Sequence, residues 1–76
     1  MKDLLNFIIA QIVDNSDKVS IDEQQISEGN FQYTIHTQVD DTGKIIGRDG
    51  KIISAIRNIA KVLAIKENTH IRIEIA

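Results

Sequence analysis

Between Gly43 and Lys51 the chain reads Gly-Lys-Ile-Ile-Gly-Arg-Asp-Gly-Lys, a stretch whose residue types and spacing suit the cradling of a phosphate. Glycines let a backbone approach an anion closely, and a helix starting just behind them would aim its unpaired N–H groups and the positive end of its dipole at the same point. Spacing excludes two enzymatic versions of such a loop. A nucleoside-triphosphate loop needs a glycine five positions before a Gly-Lys-Ser/Thr end, but Gly50-Lys51 is followed by Ile52 and position 45 is Ile45. A dinucleotide fingerprint needs a glycine two positions before Gly47, which is again Ile45, directly after a strand. Other chemistry-bearing residues form no constellation. His36 and His70 share an expected sheet face without a third metal ligand. The pair Asp40-Asp41 precedes a helix, where Asp41 or Thr42 would cap, and Ser54 has no placed histidine or acid beside it. Cysteine is absent, which excludes thiol catalysis, Cys-ligated zinc, iron–sulfur clusters and disulfides. The expectation is a non-enzymatic binding module with no metal, no cofactor and no small-molecule substrate.

The elements that position this loop follow from periodicity. Leu4, Leu5, Ile8, Ile9, Ile12 and Val13 recur at helical intervals, predicting an amphipathic helix from Asp3 to about Val13. Its apolar run, interrupted by Asn6 and Gln11 and followed by acidic residues, reads as neither a signal peptide nor a membrane span. An irregular edge strand is predicted from about Lys18 to Ser27, and Glu28-Gly29-Asn30 is a turn signal. The clearest alternation comes next, with Phe31, Tyr33, Ile35, Thr37 and Val39 on one face and Gln32, Thr34, His36 and Gln38 on the other. Asp40 to Gly43 should close that strand. A short apolar run, Lys44-Ile45-Ile46, leads into the loop, and a long helix should span Lys51 to about Lys66. Glu67-Asn68-Thr69 turns the chain into a last strand, His70 to Ile75, with Ile71, Ile73 and Ile75 facing in. The tight turn makes the first two strands antiparallel, and the helical crossover allows a parallel, right-handed pairing of the second and third. The result is an α+β sandwich, a three-stranded mixed sheet with helices on one face and a polar second face.

A 76-residue chain leaves room for one domain, residues 1–76, with a small core that its 42% hydrophobic content can fill. The net charge of −2 argues against a polyanion partner until it is divided along the chain. Residues 1–43 hold two basic residues against eight acidic ones, whereas residues 44–76 hold seven against three. One half of the molecule can therefore hold an anion while the whole stays soluble. The absence of disulfide chemistry fits the cytoplasm.

Ile-Ile-Gly-Arg-Asp-Gly-Lys-Ile-Ile-Ser-Ala-Ile, set between two helices after a strand, resembles the KH-domain signature, in which a Gly-x-x-Gly loop clamps about four nucleotides of a single strand. The element order helix-strand-strand-helix-helix-strand resembles the bacterial type II KH fold over the whole chain, and the size matches the small stand-alone KH proteins of the KhpA type. The resemblance implies single-stranded RNA binding through Gly47, Arg48, Asp49, Gly50 and Lys51, with Lys44 and Arg57 close enough to help. By their match to the pattern, Ile46 and Ile53 would form an apolar groove floor under the bases. The function implied is that of an RNA chaperone or post-transcriptional regulator. Asp49 departs from the many KH loops that carry a neutral or basic residue there. It would pair with Arg48 or Lys51, or hold non-specific affinity down. A recognition motif of the aromatic-sheet kind is disfavoured, because Phe31 and Tyr33 share the core face.

The long helix carries more apolar surface than one neighbour needs. Ile53, Ile56, Ala60, Leu63 and Ala64 form one stripe, and Ala55, Ile59 and Val62 widen the arc to roughly 200°. Either the first helix covers the surplus, or Ala55, Ile59 and Val62 form a dimer seam. Proteins resembling this family are expected to self-associate or to pair with a larger Jag/KhpB-type KH protein. The alternative function is therefore a protein-pairing module whose glycine loop is vestigial.

Overall fold

The computed structural model describes all 76 residues. Helix α1 runs over Lys2–Ile12, strand β1 over Ser20–Ser27 and strand β2 over Asn30–His36. Helix α2 follows over Val39–Ile46, α3 over Lys51–Lys66 and strand β3 over His70–Ile75. Short 3-10 turns at Ser16–Lys18 and Arg48–Gly50 join α1 to β1 and α2 to α3. The sheet order is β1-β2-β3, with β1 antiparallel and β3 parallel to β2. Element order, mixed sheet and the limits of α3 and β3 agree with the sequence reading.

Alternation in the strands puts Ile21, Tyr33, Ile35 and Ile73 on one face. Leu5 and Ile9 of α1, Ile45 of α2, and Ile53, Ile56 and Ala60 of α3 close over that face to make the core. Tyr33 is buried and its hydroxyl donates to the Glu23 carboxylate at 3.1 Å, across the β1–β2 ladder. Burial, with Glu23 and then Glu67 nearby, pushes the phenol up to about 12.

Three expectations change between β2 and α2. The strand stops at His36, six residues into its alternation, and Val39 opens α2 with 83% of its surface exposed. Asp40, Asp41, Thr42 and Gly43 lie inside that helix instead of closing the strand, and two acidic residues in its first turn suit the dipole there. Asp41 does not cap its own helix. Its carboxylate is buried and accepts from the Asp14 N–H at 3.3 Å, the Asn15 N–H at 3.0 Å and the Asn15 side-chain amide at 3.1 Å. It thus binds the chain leaving α1 to α2. Burial opposes its charge, but the Asn15 and Asp14 hydrogen bonds and the Lys44 ammonium outweigh it and hold the carboxyl below its usual range.

The first strand begins at Ser20, later than predicted, because Ser16–Lys18 coil into a turn. Its pairing slips at a bulge between Gln25 and Ser27, the irregularity the polar run suggested. His36 and His70 lie beside Ser20 and Asn30 respectively, at opposite ends of β2, so they do not share a site. His36 instead pairs with Asp22 at 2.7 Å.

Candidate nucleic-acid interface

The loop is built by its two glycines in different ways. Gly47 ends α2, its N–H donating to the Gly43 carbonyl at 2.9 Å, with φ +74° and ψ 177°, backbone angles open essentially to glycine alone. A Cβ there would also stand 2.5 Å from Ile52 Cγ1 and 2.8 Å from its Cβ, so the turn closes against α3 only without a side chain. Gly50, at φ +72°, precedes α3 with nothing within 4 Å of its would-be Cβ. Its open side is where a ligand backbone can come close.

Between them Asp49 adopts φ 56° and ψ 27°, the left-handed region that aspartate tolerates better than most residues. Arg48, Asp49 and Lys51 are all exposed. Asp49 pairs with neither Arg48 nor Lys51, so the first of its two expected roles is not met: the ion pairs of the molecule lie elsewhere. The left-handed backbone, rather than a salt bridge, accounts for an aspartate at this position. Helix α3 begins with no side-chain cap and no acidic residue in its first turn, so its positive end faces the loop, where Asp49 is the nearby acid.

The other predicted contacts divide. Lys44 is held by Asp14 and by Asp41, the latter at 3.5 Å, and these partners raise its affinity for the proton. It closes the α1–α2 junction and is not a free cation beside the loop. Ile53 is buried in the core and offers a groove no surface; Ile46 and Ile52, each more than a third exposed, are the apolar residues beside the loop. Arg57 turns toward β3, where its Nε and Nη2 donate to the Ile73 carbonyl at 3.3 and 3.0 Å. It lines an open groove of about 260 Å³ with Lys61, Ile71, Arg72, Ile73 and Glu74. Sequence reasoning missed Lys61 and Arg72 there. The signal was present in Arg57 and Lys61, four apart and off the buried stripe, but which strand lay beneath them came only with the topology.

The surplus apolar arc stays open. Ala55, Ile59 and Val62 are exposed, Ile59 by half and Val62 by two thirds, so α1 does not cover them. Helix α1 itself leaves Phe7 63% exposed. No helix is long and apolar enough to cross a membrane.

The family described as "KhpA/KhpB, KH domain" matches residues 2–75. A Clostridium perfringens protein named RNA-binding protein KhpA is 36% identical over 75 residues, 99% of each chain. Proteins of the same name from Clostridium acetobutylicum and Chlamydia caviae are each 37% identical over 75 residues, covering 99% of this chain and 99% and 95% of theirs. No solved structure matches the chain.

Proposed function

The chain belongs to the KhpA/KhpB KH-domain family, and from that premise we propose that residues 1–76 act as a single KH domain that binds single-stranded RNA through Gly47–Lys51. The relatives carry RNA binding in their names, and theirs is not an enzyme family. The observation that carries the loop assignment is the conjunction at Gly50: an open backbone, an uncapped helix start, and the exposed Arg48 and Lys51 on either side. A sugar–phosphate chain laid there meets backbone N–H groups and the helix dipole without a side chain in the way. Arg48 and Lys51 add charge that reaches phosphate oxygens from solvent. Ile46 and Ile52 give the adjoining nucleotide an apolar patch.

The role that follows is that of a bacterial cytoplasmic RNA chaperone or post-transcriptional regulator. It works as a homodimer or with a larger Jag/KhpB-type KH protein. The exposed Ala55, Ile59 and Val62 support the pairing, since a lone domain would leave that helix face wet. Ultraviolet crosslinking to a short single strand, followed by mass spectrometry, tests the assignment. Crosslinked peptides should centre on residues 46–52. Crosslinks concentrated on Gln24, Gln32 and Thr34 of the opposite sheet face would overturn it.

A further inference from the structure

The groove between α3 and the sheet edge has a feature that the loop does not account for. Strand β3 is an outer strand. The N–H of His70 donates to Gly29 and that of Ala76 to Ile35, both toward β2, so residues of this parity face inward. Ile71 and Ile73 therefore turn their N–H and C=O groups out, along the free edge. An outward edge of this kind ordinarily offers an incoming base both a donor and an acceptor. Here the Ile73 acceptor is occupied, because Arg57 holds that carbonyl with two N–H groups, at 3.3 and 3.0 Å.

We infer that Arg57 sets the base preference of this groove, favouring guanine over adenine. The inference rests on the RNA-binding reading and adds a specificity residue to it. With the Ile73 carbonyl filled, the groove presents donors: the Ile73 N–H and the guanidinium N–H groups not turned to the strand. Guanine offers two adjacent acceptors, N7 and O6, which match a pair of donors. Adenine offers N7 beside its N6 amino group, and that donor would meet a guanidinium donor where a bare carbonyl would have accepted it. The acceptor side chain in the lining, Glu74, lies 3.8 Å from Arg72 Nε, on the strand's other parity. Lys61 and Arg72 give the groove a positive balance suited to the phosphates of the same strand. Its volume of about 260 Å³ falls below the ~300–1,000 Å³ of drug-sized sites and suits one flat ring.

The test uses eight-nucleotide uridine strands carrying a single guanine or a single adenine, titrated into wild type, Arg57→Met and Arg57→Lys. Wild type should prefer the guanine strand by at least about fivefold, the low end for a paired donor contact. Arg57→Met frees the Ile73 carbonyl and should bring the ratio to one or invert it toward adenine. Arg57→Lys keeps the charge without the planar fork and should lose most of the preference. Circular dichroism shows that the variants are folded, and the guanine-to-adenine ratio reports on readout, which a merely structural role would leave alone. Equal affinity of wild type for both strands, a preference for adenine, or a guanine preference retained by Arg57→Met overturns the inference and leaves the RNA reading standing. Failure of wild type to bind either strand removes both.

Discussion

Gly47 and Ile52 are in contact across the turn between α2 and α3, so close that a Cβ on Gly47 would stand 2.8 Å from that of Ile52. Gly50, three residues on, shares the positive φ but has no such neighbour. The two glycines should therefore respond differently to alanine. Gly50→Ala meets only the backbone penalty, about 1–2 kcal/mol. Gly47→Ala meets a larger backbone penalty, in a region open essentially to glycine alone, and adds overpacking, typically about 1–3 kcal/mol more. Chemical denaturation should show Gly47→Ala clearly the less stable. Equal losses would mean that the turn can open away from Ile52.

Tyr33 predicts an alkaline transition. Its phenol holds the proton more tightly in the folded state, at about 12 against an ordinary value near 10. The stability this confers is complete below pH ~10 and is lost as pH rises toward ~12, at about 1.4 kcal/mol for each pH unit crossed. Since it is the chain's one tyrosine, tyrosinate absorbance reads it alone. Ionisation should coincide with unfolding above pH ~11, and Tyr33→Phe should blunt the stability loss. A titration midpoint near 10 in the folded protein would contradict the burial argument.

The dimer seam predicts a mutant phenotype. Ile59 stands one turn from both Ala55 and Val62 on α3, and a two-fold interface would use it twice. Ile59→Asp should convert a dimer to a folded monomer, because the core stripe through Ile53, Ile56 and Ala60 is untouched. RNA affinity should fall only through lost avidity. Sedimentation with circular dichroism decides it. A wild type monomeric at micromolar concentrations would remove the seam and leave Ile59 an exposed residue, and a mutant that unfolds would give Ile59 a structural role instead.

What the sequence made legible was whatever local pattern governs. The period of 3.6 in α3, the period of 2 in β2 and β3, and the Gly47–Gly50 spacing each marked their element. Two of the failures trace to contacts distant along the chain. Asp41 looked like a local cap because capping is a local rule, yet its donors lie 26 and 27 residues earlier, at Asn15 and Asp14. Lys44 looked like a free cation because its partner Asp14 is 30 residues away. Val39 continued the strand alternation by type, but the acidic pair behind it started a helix. Ile53 already stood in the core stripe by its period, and the groove-floor role came only from the match to the KH pattern; packing of α3 buries it and leaves Ile52 beside the loop.

The pairing of the basic residues makes the salt dependence of binding shallow. With Lys44 paired to Asp14 and Asp41, Arg57 turned to Ile73 and Arg72 set against Glu74, the free cations are Arg48 and Lys51 at the loop, with Lys61 further along the groove. Two or three phosphate contacts on a single strand give a slope of log K against log salt of about −1.4 to −2.1. A slope near −5 would place the contact on a larger basic surface.

The central claim, that RNA is held at the Gly47–Lys51 loop, is tested most directly by Arg48→Asp. Arg48 is exposed and makes no ion pair, so the change should leave the melting temperature nearly unaltered. Beside the unpaired Asp49 it sets two negative charges against the phosphate path. Fluorescence anisotropy with a labelled single strand should show affinity lower by at least about tenfold, or about 1.4 kcal/mol. Equal affinity of wild type and Arg48→Asp, at equal stability, would contradict the account.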